Sequence, residues 1–269
     1  MSNKDYKDFF GLNGPAFHKS IPVAPLFRHP QLEEWHYYLR TAIDEGTVAL
    51  LTGPVGAGKS TALRAFLAEL DAARVGVLYV GYSTADRTLF REMAQGLGLT
   101  PAFLKADLIV QLHTVIEQLW MAKKRQTLLV IDDAHLLKDQ LLVELRQLLN
   151  FQMDAATPLG LVLVGQPQLH DRLKLPIHEA LYQRTPIRYH LTGLSRTEMA
   201  AYVTAHMEAA GGDPAVFSAK ALEAVYQHAK GVPREINNIC AYALVNAAWK
   251  ETKKIDDRLI TEVIQQQSA

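Results

Sequence analysis

The chain has 269 residues, of which 49% are hydrophobic and 21% are charged, and this composition excludes a disordered or fibrous protein. Lys and Arg number 28, as do Asp and Glu, so the zero net charge argues against an avid, constitutive DNA-binding protein, though not against a few basic residues in a pore or groove. The single cysteine, Cys240, is typical of a reducing compartment. Because the sequence shows neither an apolar signal region nor the ~20 apolar residues needed to span a bilayer, we expect a cytoplasmic protein without membrane partners.

Residues 1–30 are predicted to be irregular, and hydrophobic periodicity predicts that helices and strands alternate from Pro30 to residue 192. A helix follows Pro30 and ends at Gly46. Asp86 and Asp107 are expected to cap the starts of two further helices. The predicted strands cover 48–51, 75–80, 128–131, 159–164 and 186–191, and the helices between them run up to residue 70, over 86–97, over 107–120 and around 141–149. This alternation predicts an α/β fold, an αβα sandwich with a mostly parallel five-stranded sheet.

From Gly193 onward the pattern is helical throughout. Ser195 and Glu198 have the spacing of a capping box. Further helices are predicted near 195–210, 218–229, 234–250 and 257–266. We therefore expect an N-terminal arm and helix joining the core at 1–46, an αβα core at 47–192 and a small helical domain at 193–269.

A glycine-rich segment between a predicted strand and a predicted helix fits the phosphate-binding pattern G-x-x-x-x-G-K-[ST]. Its glycines allow backbone N–H groups to surround phosphate oxygens, its lysine reaches the outer phosphates, and its serine hydroxyl is a ligand for Mg²⁺. The predicted ATP-binding residues are Gly53, Pro54, Val55, Gly56, Ala57, Gly58, Lys59, Ser60 and Thr61.

Two carboxylates follow the predicted strand at 128–131 and complete this chemistry. Asp132 is expected to hold Mg²⁺ together with Ser60, and Asp133 to polarise the attacking water. In the alternative interpretation, Asp133 only caps the following helix. The Asp133 side chain is one methylene shorter than a glutamate at the same position would be, so its carboxylate reaches less far toward the water. We therefore expect an ATPase with slow hydrolysis.

Together with the phosphate loop, several further segments resemble the AAA+ ATPase superfamily, and within it the ExeA/GspA-type ATPases. They extend from residue 8 to about residue 245, in the order that this family has. The matching segments are Asp8-Phe9-Phe10-Gly11-Leu12, Leu51-Thr52-Gly53, Val164-Gly165-Gln166-Pro167-Gln168-Leu169, Gln183-Arg184 and Gly231-Val232-Pro233-Arg234-Glu235-Ile236-Asn237-Asn238.

The resemblance implies roles that spacing alone does not. Gln166 matches the sensor-1 residue that contacts the γ-phosphate or water, and a polar strand end is the alternative. Arg184 matches the arginine finger that faces the nucleotide of a neighbouring subunit, with Arg188 as a competitor and a surface salt bridge as the alternative for both. Arg234 matches the sensor-2 arginine of a helical lid, and Phe27 lies where the arm approaches adenine. A homo-oligomer, either a ring or a helical filament, is implied.

Two branches of this family differ in their task. The secretion branch has a membrane anchor and a peptidoglycan-binding region, neither of which the sequence shows. We therefore expect the soluble branch, which resembles the transposition regulators TnsC, TniB and MuB in assembling on duplex DNA and recruiting a transposase. The alternative is a nucleotide-gated assembly ATPase of a secretion or signalling system that does not bind DNA.

The resemblance also implies where DNA would be contacted. In relatives, the loop after the second strand and the turn between the next two helices touch the phosphate backbone. Hydroxyl and cationic groups bind phosphates without reading sequence. The alternative is that these residues only cap helices or remain solvated at the surface. The candidate residues are Ser83, Thr84, Arg87, Thr100 and Lys105.

Overall fold

A computed structural model of the chain describes residues 5–18, 30–81, 86–152 and 156–268. It divides into two compact units. One contains residues 30–55 and 59–191, and the other contains residues 5–18, 56–58 and 192–268. We call them the sheet unit and the helical unit. The boundaries expected from the sequence, at residues 46 and 192, stay predictions.

The sheet unit alternates strands and helices. Its strands are β1 (Val48–Thr52), β2 (Val75–Val80), β3 (Gln126–Ile131), β4 (Leu159–Gly165) and β5 (Ile187–His190). Its helices are α2 (Pro30–Asp44), α3 (Lys59–Ala68), α4 (Asp86–Gly96), α5 (Lys105–Lys123), α6 (Asp139–Leu148), α7 (Pro167–Leu173) and α8 (Glu179–Gln183), with short 3-10 helices at Ala134–Leu136 and Pro176–His178. Helix α1 lies in the helical unit.

The five strands form one sheet in the order β2-β3-β4-β1-β5, and every pair is parallel. The predicted α/β fold with a mostly parallel sheet is therefore confirmed. Every residue of β1, β3 and β4 is buried, which is typical of central strands covered on both faces. The edge strands β2 and β5 are only partly buried.

Alternation along the strands separates the two faces of the sheet. Leu50, Leu129 and Leu163 belong to a large apolar cluster with residues of α4, α5 and α6. Helices α2 and α3 pack on the sheet through β1, β5 and β4, and His36 of α2 contacts Phe66 of α3 with ring centroids 5.3 Å apart. These layers form the αβα sandwich.

The predicted start of α5 was wrong. Asp107 was expected to cap this helix, but α5 begins at Lys105, and its N-cap residue, Leu104, makes no side-chain cap bond. Asp107 lies in the first turn instead. A carboxylate in the first turn stabilises the positive end of the helix dipole, as a carboxylate at the N-cap does. An aspartate at position 107 therefore also fits a helix that begins two residues earlier.

The helical unit consists of α1 (Tyr6–Phe10), α9 (Arg196–Ala209), α10 (Ala219–Ala229), α11 (Pro233–Trp249) and α12 (Asp257–Ser268), with a 3-10 helix at Pro214–Val216. The predicted capping box is present, because Ser195 Oγ accepts from the Glu198 N–H and Glu198 Oε2 accepts from the Ser195 N–H. The N-terminal arm packs in this unit. Phe17 stacks on His206 with ring centroids 5.6 Å apart, and the His206 Nδ1 lies 3.0 Å from the Ala16 carbonyl.

Candidate nucleotide-binding site

The phosphate-binding segment leaves the carboxyl end of β1 and enters α3, as its sequence predicts. Gly56 and Gly58 have φ values of 83° and 94°. A side chain clashes with its own backbone in this region, so the loop requires glycine at both positions. Gly53 meets a different limit, because a Cβ there would lie 2.5 Å from the carbonyl oxygen of Leu191.

Lys59 is the first residue of α3, and its side chain folds back toward this segment. Its Nζ donates to the carbonyls of Gly53 at 2.9 Å and of Pro54 at 2.8 Å. The side chain is half-buried. A cation held in this position is suited to bind phosphate oxygens.

The two residues predicted to hold Mg²⁺ are in direct contact. Ser60 Oγ donates to Asp132 Oδ2 at 2.8 Å, although 72 positions separate them in the chain. Asp132 follows the last residue of β3 and is buried, and its backbone N–H donates to the Val80 carbonyl of β2. A hydroxyl and a carboxylate are the hard oxygen ligands that Mg²⁺ prefers, so this pair fits the metal.

Two further donors complete the hydrogen bonds of the Asp132 carboxylate. The backbone N–H of Asp133 donates to Oδ1 at 2.9 Å, and the Tyr79 hydroxyl donates to Oδ2 at 3.2 Å. Burial raises the pKa of Tyr79 to about 12, and the neighbouring Asp132 charge adds to the effect. The phenol is therefore protonated at neutral pH. Sequence reasoning missed Tyr79, and its only signal was a polar aromatic near the end of a strand.

Asp133 adopts a left-handed backbone conformation, with φ 52° and ψ 34°. This conformation costs most residues about 1–2 kcal/mol, and aspartate is one of the few that adopt it readily. Its side chain is 55% exposed, with Oδ1 3.9 Å from the Nδ1 of His135. Strained backbone of this kind is concentrated at functional sites.

Gln166 directly follows β4, and its Nε2 lies 3.0 Å from the Nε2 of His135. An amide NH₂ donates hydrogen bonds, so Gln166 is the donor in this contact. The carbonyl of His135 accepts from Arg172 Nη1 at 3.0 Å. His135 is not among the residues that the sequence predicts for the site. The structure brings it to Gln166, and the sequence offers no signal for this contact beyond the position of His135 shortly after Asp132.

The two candidate trans-acting arginines differ in their surroundings. Arg188 is exposed, and its guanidinium carbon lies 3.7 Å from the centroid of the Tyr182 ring. Its Nη2 also donates to the Tyr182 carbonyl at 2.8 Å. Arg184 follows the end of α8 and is half-buried, and its carbonyl accepts from the Val48 N–H. The guanidinium of Arg188 is thus held within its own chain.

Arg234 lies in the first turn of α11, in the helical unit. Its backbone N–H donates to the Gly56 carbonyl at 3.2 Å. A Cβ at Gly56 would lie 2.7 Å from the Cβ of Arg234, so the two backbones approach closely. The side chain of Arg234 is exposed. The structure therefore brings this predicted residue to Gly56, which belongs to the same unit.

The candidate DNA contacts are only partly described. Ser83 and Thr84 lie outside the described residues, as does the side chain of Arg87. The predicted adenine contact, Phe27, also lies outside them. Thr100 is exposed. Lys105 forms an ion pair with Glu144, with Nζ and Oε2 2.6 Å apart, and this pair neutralises the cation expected to meet phosphate.

Residues 43–173 match the AAA domain family. This segment of the chain is therefore an AAA domain. Over 93% of its length, the chain is 33% identical to general secretion pathway protein A of Aeromonas hydrophila. It spans 46% of the length of that relative.

Solved structures with the same fold include two proteins of Aeropyrum pernix. The ORC2 protein, in ADPNP–ADP complexes, is 14% identical to this chain with a TM-score of 0.70, and the match covers 96% of this chain and 72% of that one. The ORC1 protein in complex with DNA is 15% identical with a TM-score of 0.68, covering 91% of this chain and 68% of that one. Within the described residues, no helix combines the length and apolar character needed to cross a bilayer.

Proposed function

We propose that this protein is an AAA+ ATPase, which binds Mg²⁺ and ATP on the segment 53–61 and hydrolyses the nucleotide to ADP and phosphate. The observation that carries the proposal is the contact between Ser60 Oγ and Asp132 Oδ2, two oxygen ligands from distant parts of the chain. The positive φ of Gly56 and Gly58 and the ammonium of Lys59 at the same segment support it. The donor set, a cation beside two hard oxygen ligands, fits a metal-bound phosphate chain.

Each residue would contribute one part of the chemistry. Lys59 binds the outer phosphates, while Ser60 and Asp132 hold Mg²⁺, which when bound neutralises charge on the phosphate oxygens. Asp133 accepts the proton of the water that attacks the terminal phosphorus as the bond to ADP breaks. Gln166, oriented by its bond to His135, contacts that water or the phosphate.

We infer that Arg234 supplies a further contact to ATP. Arg184, from a neighbouring copy in a ring or helical filament, acts on the phosphoryl group during transfer. The match of Arg184 to the arginine finger of the resembled family supports this role, and the guanidinium of the competing Arg188 contacts Tyr182 of its own chain. An arginine stabilises the charge that develops on the transferred phosphoryl group, and its position in a second copy would make hydrolysis depend on assembly.

Binding of a fluorescent ATP analogue with and without Mg²⁺ tests the nucleotide site. In Lys59→Ala, we expect the dissociation constant to rise about 10- to 100-fold, because one charged hydrogen bond contributes about 1.5–3 kcal/mol. The matched control is Lys123→Ala, which removes an exposed lysine at the end of α5. Equal losses in both variants, or no binding by the wild type, would reject the proposal.

For the task of this ATPase, we propose the DNA-binding regulator of transposition, which assembles on duplex DNA and recruits a transposase. The shared fold with the ORC1 protein, solved in complex with DNA, supports it. The ion pair of Lys105 with Glu144 removes one of the expected contacts and counts against it. The second candidate is an assembly ATPase of a secretion system, favoured by the 33% identity to general secretion pathway protein A.

Fluorescence anisotropy of a labelled random duplex distinguishes the two candidates. The duplex is titrated with protein in ATP, in a non-hydrolysable analogue, in ADP and without nucleotide. Binding only with the ATP forms, weakening as salt rises, would support the DNA-binding regulator. If no state binds while light scattering still detects ATP-dependent oligomers, the DNA proposal fails and the secretion ATPase is retained.

A further inference from the structure

Tyr79 is a polar group at the predicted metal site that the proposed function does not use. It is the second-last residue of β2 and lies opposite Val130 of the neighbouring parallel strand β3. Asp132 lies two residues beyond Val130. Since side chains alternate with a period of two, the register places the Tyr79 ring and the Asp132 carboxylate on the same face of the sheet. The hydroxyl reaches Asp132 Oδ2 at 3.2 Å.

The hydrogen bond has a fixed direction. An ionised carboxylate only accepts hydrogen bonds, so the phenol is the donor. Of the three donors to Asp132, the Asp133 N–H is main chain and the Ser60 hydroxyl is itself a predicted metal ligand. Tyr79 is therefore the one side chain among these three donors that can hold the carboxylate without also being expected to bind the metal.

We infer that Tyr79 is a positioning residue, whose hydroxyl orients the Asp132 carboxylate for Mg²⁺. The inference rests on the proposed function, because it gives Asp132 the role of metal ligand. Partners that orient a metal-binding carboxylate typically contribute 10- to 100-fold to metal affinity or activity. Since the Tyr79 side chain is 55% exposed, its ring contributes little to the core, and loss of the hydroxyl will affect the site more than the fold.

The test is Tyr79→Phe, which removes only the hydroxyl. The chain supplies a matched control in Tyr189→Phe, because the Tyr189 hydroxyl donates to Glu34 Oε2 at 2.9 Å, another phenol–carboxylate bond of the sheet unit. Each protein is titrated with Mg²⁺ at a fixed concentration of fluorescent ATP analogue, and the half-saturating Mg²⁺ concentration is measured. Binding of the analogue in EDTA is measured in parallel.

We expect Tyr79→Phe to raise the half-saturating Mg²⁺ concentration about tenfold, while binding in EDTA and turnover at saturating Mg²⁺ remain within about twofold of wild type. Tyr189→Phe should leave all three quantities unchanged. A half-saturating concentration within twofold of wild type in Tyr79→Phe, or an equal shift in both variants, would overturn the inference. If the wild type itself shows no Mg²⁺-dependent nucleotide binding, the proposed function fails first, and the inference fails with it.

Discussion

The role of Asp133 gives the sharpest test of catalysis, because Asp133→Asn changes charge and little else. Asparagine also adopts the left-handed backbone conformation that Asp133 has. The hydrogen bond to Asp132 Oδ1 comes from the backbone N–H, so the substitution preserves it. The side chain is 55% exposed. We therefore expect the free energy of unfolding to change by less than about 0.5 kcal/mol.

Turnover should respond very differently. A general base contributes about 10²–10⁴-fold, so Asp133→Asn should lower the rate at least about 100-fold, equivalent to about 2.7 kcal/mol of activation free energy. Phosphate release measures the rate, binding of the fluorescent ATP analogue measures the site, and urea unfolding measures stability. A variant that binds ATP normally and retains more than a third of wild-type turnover would refute the role given to Asp133.

Asp133→Glu examines the length of this side chain. Glutamate tolerates the left-handed conformation less well than aspartate, so a modest loss of stability, about 0.5–1 kcal/mol, is expected. A tenfold gain in turnover despite that loss would show that the native aspartate is suited to retaining ATP. Unchanged turnover would indicate that the other site residues, and not the length of this side chain, determine the hydrolysis rate.

Three further expectations concern other parts of the chain. Arg184→Ala should lower turnover about 10³-fold in assembled protein without weakening ATP binding. Arg188→Ala should leave turnover within about threefold of wild type. Phosphate release, measured at rising protein concentration, compares the two variants. The hydrogen bond from His178 holds the pKa of Asp139 below its usual value. Because the Asp139 side chain is 49% exposed, solvent weakens this interaction, so Asp139→Asn should lose about 0.5 kcal/mol of stability at pH 7. This difference should shrink as pH falls below about 4 in urea titrations. Cys240 is fully buried, which raises the pKa of its thiol, so a thiol reagent monitored by absorbance should react only in denaturant.

Each of these has a contrary result. Equal losses in Arg184→Ala and Arg188→Ala would remove the distinction between the two arginines. A stability difference at Asp139 that stays constant down to pH 3 would mean that its charge does not contribute. Prompt reaction of Cys240 in the native protein would show that the core of the helical unit opens readily.

The sequence predicted the parts of the site that depend on strand ends. Gly53, Asp132 and Gln166 directly follow buried strands, and the carboxyl ends of parallel strands meet at one edge of a sheet. That rule was sufficient to expect Ser60 and Asp132 near each other. The strand order did not follow from periodicity, because a buried strand has the same pattern wherever it lies in a sheet.

Contacts that depend on register escaped prediction. Tyr79 meets Asp132 only because β2 pairs with β3 in one particular alignment, which a single sequence does not reveal. His135 meets Gln166 across two different strand ends. The short helices α7 and α8 were also missed, because five to seven residues give too few turns for a helical period to be recognised.

In β3 and β4, the residues that stabilise the core and the residues assigned to hydrolysis occupy different positions along the chain. The residues of β3 and β4 are buried to the last position, while the groups assigned to hydrolysis begin at the next one. Substitutions at Asp133 or Gln166 therefore remove few core contacts. In evolutionary terms, a lineage with this architecture can pass between fast hydrolysis, slow hydrolysis and nucleotide retention by single substitutions at these ends, without first acquiring compensating changes in the core.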